Sequence, residues 1–171
     1  MKTLILGAAA AVLLHITPTV TLVDRPEVVS KLLEGADRFT AREVHLSSAD
    51  ERRLHDAAGW TPPDDVITFY LGKRGNTVEG VLVFMRVDSP HGPLEVAVGF
   101  DTAGAIRGVE VTKATIETKP WVVEALRAGL TTPYRGAATV KGKVGTMAEY
   151  MADLVDRGVA HAGASYRLFY R

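Results

Sequence analysis

The chain of 171 residues contains no cysteine, so disulfides, thiol catalysis, iron–sulfur clusters and cysteine-held haem are all excluded. It also lacks an excess of charge of either sign. Twenty basic residues balance twenty acidic ones, which argues against a nucleic-acid binder, since such proteins carry a basic face or surplus. There is no Gly-x-Ser-x-Gly elbow, no Walker lysine loop and no Gly-x-Gly-x-x-Gly after a strand, so hydrolase and nucleotide-binding readings have no motif behind them. The five histidines, His15, His45, His55, His91 and His161, are scattered without ligand spacing, and no metal site is expected. Met147 and Met151 stand four apart on a helical stretch, a spacing that any packed helix core produces. Repeats and low-complexity tracts are absent as well.

What remains is a composition that builds a core, 47% hydrophobic, at a length that suits one domain. Lys2 stands just ahead of LILGAAAAVLL, a positive charge followed by a short apolar run, as in a secretory leader. The apolar character continues to Val23, long enough to span a bilayer, so residues 1–23 are expected to be either a signal peptide or an N-terminal membrane anchor. Both place residues 24–171, a single domain, in the periplasm or on the extracytoplasmic face of a membrane.

Apolar spacing then predicts a helix from Arg25 to Phe39. A second helix opens with a capping box of Ser48 and Glu51 and closes at Gly59. Alternation over Val66–Gly72 and Val78–Val87 around Gly75-Asn76 predicts one hairpin; Leu94, Val96 and Val98 turning at Asp101–Gly104 into Ile106, Val109 and Val111 predict another. A short helix follows Trp121 and stops at Gly129, and Thr131 to Gly145 reads as a loop long enough to suggest function. Thr146 with Glu149 forms a capping-box pattern ahead of MAEYMADLVDRGV, and Ser165–Arg171 alternates like a last strand. The expected fold is α+β, an antiparallel sheet of two hairpins packed with helices.

The second hairpin delivers Glu117-Thr118-Lys119-Pro120-Trp121 to one end of the sheet, with a carboxylate, a hydroxyl, an ammonium and a large aromatic side by side. Such a mixture suits a polar aromatic ligand. Gly145 ahead of a helix, with Lys141 and Lys143 just upstream, is a favourable seat for a phosphate.

From Leu33 to Val159 the order of elements, with LLEGADRFTAREVHLSSADERRL, TFYLGKRGNTVEGVLVF and VGFDTAGAIRGVEV, resembles the FMN-binding domain family, which includes the flavin-bearing subunits of the Rnf complex and of the sodium-pumping NADH:quinone reductase. ETKPW stands where that family carries Glu-Thr-Pro-Gly, with Lys119 interrupting. Val144-Gly145-Thr146-Met147 stands where it carries Ser-Gly-Ala-Thr, whose threonine takes FMN through a phosphoester bond; here the serine and alanine are missing. Gly136-Ala137-Ala138-Thr139 is a second, poorer counterpart. The resemblance implies an extracytoplasmic electron-transfer module that binds FMN through Glu117, Thr118, Lys119, Trp121, Gly145 and Thr146, and that meets membrane or periplasmic redox proteins. The altered attachment motif implies non-covalent binding, or a flavin-free relative serving as an assembly or interaction subunit of an exported redox or metal-handling system.

Overall fold

The structure, a computed structural model, describes residues 17–171; the first sixteen residues of the expected leader lie outside them. In chain order the elements are β1 (Thr19–Thr21), α1 (Arg25–Leu32), β2 (Arg38–His45), α2 (Ser48–Ala58), β3 (Val66–Arg74), β4 (Thr77–Val87), β5 (Leu94–Phe100), β6 (Ile106–Thr115), α3 (Lys119–Arg127) and α4 (Thr146–Ser165). A 3-10 turn at Ala137–Thr139 precedes α4 and a π-helical turn at Tyr166–Tyr170 extends it. The six strands form one antiparallel sheet in the order β1-β6-β5-β4-β3-β2, so the fold is α+β.

Both predicted hairpins are present. Arg74 pairs with Thr77 across a two-residue turn in which Gly75 takes φ +57°, the left-handed backbone that glycine adopts freely. At the other turn the Asp101 Oδ1 accepts the Ala103 and Ala105 N–H groups, both at 2.9 Å.

Alternation sorts the strand residues onto two faces. Val81, Val83 and Met85 of β4 and Val96, Val98 and Phe100 of β5 meet Met151, Leu154 and Val155 of α4 in the main core. Leu82 and Ala97, the neighbours between them, face the other way and pack with Val28, Leu32 and Leu33 at α1. The central strands are therefore buried on both sides, which is why their sequences run almost continuously apolar.

Four local expectations are corrected. The first helix ends at Leu32 rather than Phe39, because Gly35 turns at φ +93° and Arg38 and Phe39 pair with Lys73 and Gly72 of β3. The capping box of α2 is Ser47 with Asp50, one residue earlier than Ser48 with Glu51; tandem Ser-Ser and Asp-Glu pairs offer both registers. No cap is made by the Thr146 side chain. The terminal stretch is helical, not a strand: Tyr166 and Tyr170, four apart, stack on each other with centroids 5.1 Å apart, and Tyr166 stacks on Phe100. Over seven residues an alternating pattern also contains the i, i+4 spacing of a helix, and nothing after Gly163 interrupts α4.

Candidate functional site

The turn between β6 and α3 is built around two threonines. Thr115 and Thr118 exchange backbone N–H to side-chain bonds at 3.1 Å each way, and their hydroxyl oxygens are 2.9 Å apart. The Thr115 hydroxyl donates to the His91 carbonyl at 3.1 Å. This lock fixes the β4–β5 loop against the end of β6. It also buries Thr118, which turns inward and away from the position expected of a ligand contact.

His91, held this way, is the centre of the site. Its Nδ1 is 3.3 Å from Glu117 Oε1, and its ring meets Trp121 and Tyr150 edge-on, with centroids 5.6 and 6.1 Å apart. Three elements thus converge: the β4–β5 loop, the first turn of α3 and the second turn of α4. Glu117 and Trp121 each lie against His91. The sequence marks His91 only as one of five scattered histidines and does not single out Tyr150; the rigid Ser89-Pro90-His91-Gly92-Pro93 loop and the one-turn spacing from Thr146 to Tyr150 are the signals it offers. Lys119, at the first residue of α3, is exposed.

Gly145 and Thr146 lie at the start of α4, both exposed. Gly145 is the N-cap residue, and its N–H donates to Glu124 Oε1 of α3 at 2.7 Å. Glu149, expected to complete a capping box with Thr146, instead accepts the Gly142 N–H at 2.6 Å. Thr146 is therefore an exposed hydroxyl without a capping duty. Lys141 reaches Asp153 at 3.6 Å, while Lys143 is exposed. The long loop before α4 is tied down by Asp156, which accepts the Tyr134 hydroxyl at 2.6 Å and the Ala137 N–H at 2.9 Å; burial and this carboxylate push the Tyr134 phenol well above its usual range.

On the opposite sheet face, Glu95 accepts from Arg25 at 2.5 Å, from the Thr112 hydroxyl at 2.7 Å and from Lys113 at 3.3 Å. Burial alone would raise its carboxyl, but these donors hold it below the ordinary carboxylate value. Among the described residues no group of three or more histidine, aspartate or glutamate side chains is placed to hold a metal, and no helix is long and apolar enough to cross a membrane.

Comparison with protein-family models, with curated proteins and with solved structures gives no match. The chemistry of the site rests on its own residues. Trp121 and Tyr150 offer aromatic surface to a planar ring, His91 and Glu117 offer a switchable donor and an acceptor to its edge, and Thr146 offers a hydroxyl.

Proposed function

We propose that this protein is an extracytoplasmic FMN-binding electron-transfer module, with Trp121, Tyr150, His91 and Glu117 beside the ring system and Gly145 and Thr146 at the phosphate. The observation that carries this reading is the exposed Thr146 hydroxyl, free of the capping duty that would explain it, one turn from the Tyr150–His91–Trp121 cluster. The leader-like N-terminus and the resemblance to the FMN-binding domain family add support. FMN supplies one- and two-electron transfer when bound. The protein's part is to bind and orient it, to exclude water from one ring face through Trp121 and Tyr150, and to hold a proton at His91 Nδ1 or release it. Lys119, at the same loop, is a cation that favours negative charge nearby. Its partners are then redox proteins of the membrane or periplasm.

One observation favours a second reading. The Glu124 carboxylate on the Gly145 N–H places a negative charge where a phosphate would sit, and a helix start already satisfied by a carboxylate suits a flavin-free domain that serves as an assembly or interaction subunit.

An absorbance spectrum of protein purified from cells supplying flavin and a flavin transferase, followed by acid precipitation, separates the two. Yellow colour in the pellet, lost in Thr146→Ala and kept in Thr139→Ala, is the expected result for covalent attachment; colour in the supernatant means non-covalent binding. In the non-covalent case Glu124→Gln strengthens FMN binding by about three- to tenfold, because it removes the charge facing the phosphate. A colourless protein that fails to bind added FMN in both the parent and Glu124→Gln forms leaves the interaction subunit.

A further inference from the structure

A groove of about 450 Å³ runs between the end of α2, the β5–β6 turn and the C-terminal half of α4. Its walls are mostly small or apolar, among them Ala57, Ala58, Phe100, Val159 and Ala160. Ile106, the first residue of β6, lies on its rim and is 44% exposed. The charged lining consists of Arg167 and Arg171 and includes no acidic side chain.

Two features of the chain hold those arginines in place. Arg167 and Arg171 are four residues apart at the π-helical turn, where Tyr166 and Tyr170 stack inward and leave the arginines to the groove. Like charges at this spacing repel each other. The second feature is Gly163, in the last turn of α4: a Cβ there would lie 3.3 Å from an Arg167 Nη, so the absence of a side chain lets the guanidinium lie against the helix. Glycine inside a helix is unfavourable by about 1 kcal/mol relative to alanine. The groove thus has an apolar floor, an exposed isoleucine and a cationic end.

We propose that this groove binds a single-chain anionic amphiphile, its hydrocarbon chain along Ala58, Ile106 and Val159 and its carboxylate or phosphate head between the Arg167 and Arg171 guanidiniums. The volume lies within the range of roughly 300–1,000 Å³ typical of small-ligand sites. The site is independent of the reading at Thr146. Val159, the groove residue of α4 nearest to Thr146, is 13 residues further along the helix, so roughly 20 Å of helix separates the two.

The test is calorimetric titration of the full chain with decanoate, decyl phosphate, decyl maltoside and inorganic phosphate, each alkyl probe below its micelle-forming concentration. One decanoate or decyl phosphate per chain is expected, with decyl maltoside weaker by about tenfold or more. Octanoate is expected to bind about tenfold more weakly than decanoate, as two buried CH₂ groups require. Arg167→Gln with Arg171→Gln, both exposed positions, brings the anions to the level of the maltoside. The proposal is overturned if neutral and anionic heads bind equally, if the double arginine variant binds decanoate unchanged, or if inorganic phosphate alone binds as tightly. Binding to phosphatidylglycerol vesicles with none to decanoate also overturns it.

Discussion

His161 is buried, with 9% of its surface exposed, stacked on Trp60 at 4.6 Å and 10°. Its Nδ1 has no hydrogen-bond partner. Burial first, and then the charge of Arg157, lower its pKa to about 4. The unfolded chain regains a value of about 6.5, so below that pH the unfolded state takes up a proton that the folded state refuses. Stability from this residue is complete above about pH 6.5 and is lost as pH falls toward 4, by as much as about 3 kcal/mol. Denaturant midpoints at pH 7 and pH 5 should therefore fall apart in the parent protein and draw together in His161→Phe, which keeps a ring against Trp60. Equal losses in both would show that other groups carry the acid sensitivity. In the sequence His161 was one of five scattered histidines, and its role was illegible because Trp60 stands about a hundred residues away in a Pro-rich connector. Glu124 was hidden for the same reason: its effect on the helix start depends on α3 lying beside α4.

At the scale of elements, the docking of α1 depends on a row of glycines across β3 to β6. A Cβ at Gly72 would lie 3.0 Å from the Leu33 Cβ, one at Gly80 3.2 Å from the Leu33 Cδ2, one at Gly99 3.1 Å from the Leu32 Cβ and one at Gly108 2.7 Å from the Leu32 Cδ2. Gly72 pairs with Gly80 and Gly99 with Gly108, so the row is continuous enough for the helix to sit close to the sheet. The four positions are not equivalent. At Gly99 the obstacle is the Leu32 Cβ, which moves only with its backbone, and relief requires moving α1; at Gly108 it is the far end of the leucine side chain. Gly99→Ala should destabilise by about 1–3 kcal/mol and Gly108→Ala by less than about 1 kcal/mol, read as urea midpoints. A reversed order would mean that the helix, not the leucine tip, yields. Alternation made the strands legible in the sequence, while these glycines looked like interruptions. The first strand was accordingly ended at Gly72, whereas β3 runs on to Arg74. A glycine beneath a helix and a glycine at a strand end are the same letter, and only the position of Leu33 distinguishes them.

Across the whole molecule, β2 to β6 follow one another as neighbours, so the hairpins alone nearly determine the sheet order, and this much was open to pattern reading. The far edge was not. It is closed by β1, a three-residue strand from the stretch whose apolar run to Val23 suggests a leader, and it pairs Thr19, Val20 and Thr21 with Thr115, Ala114 and Lys113. The same residues satisfy both patterns, since Val20 and Leu22 alternate with polar neighbours as well as continuing an apolar tract. Further bonds extend the pairing: the Ile116 N–H donates to the Pro18 carbonyl at 2.9 Å and the Leu22 N–H to Thr112 at 2.8 Å, while Leu22 packs on the main core. β1 therefore covers the edge of β6, the strand that carries Thr115 and leads into the candidate site. A chain beginning at Arg25 would expose that edge and surrender about 2–4 kcal/mol of hydrogen bonding and burial relative to one beginning at Thr17. Its thermal midpoint should fall by about 5–15 °C, and its uncovered edge should promote self-association in sedimentation at rising concentration. Matching midpoints and a monomer at every concentration would show that β6 closes the sheet unaided. The lower midpoint would place the latest tolerable cleavage of any leader ahead of Pro18, since the residues from Pro18 to Leu22 are then part of the folded domain.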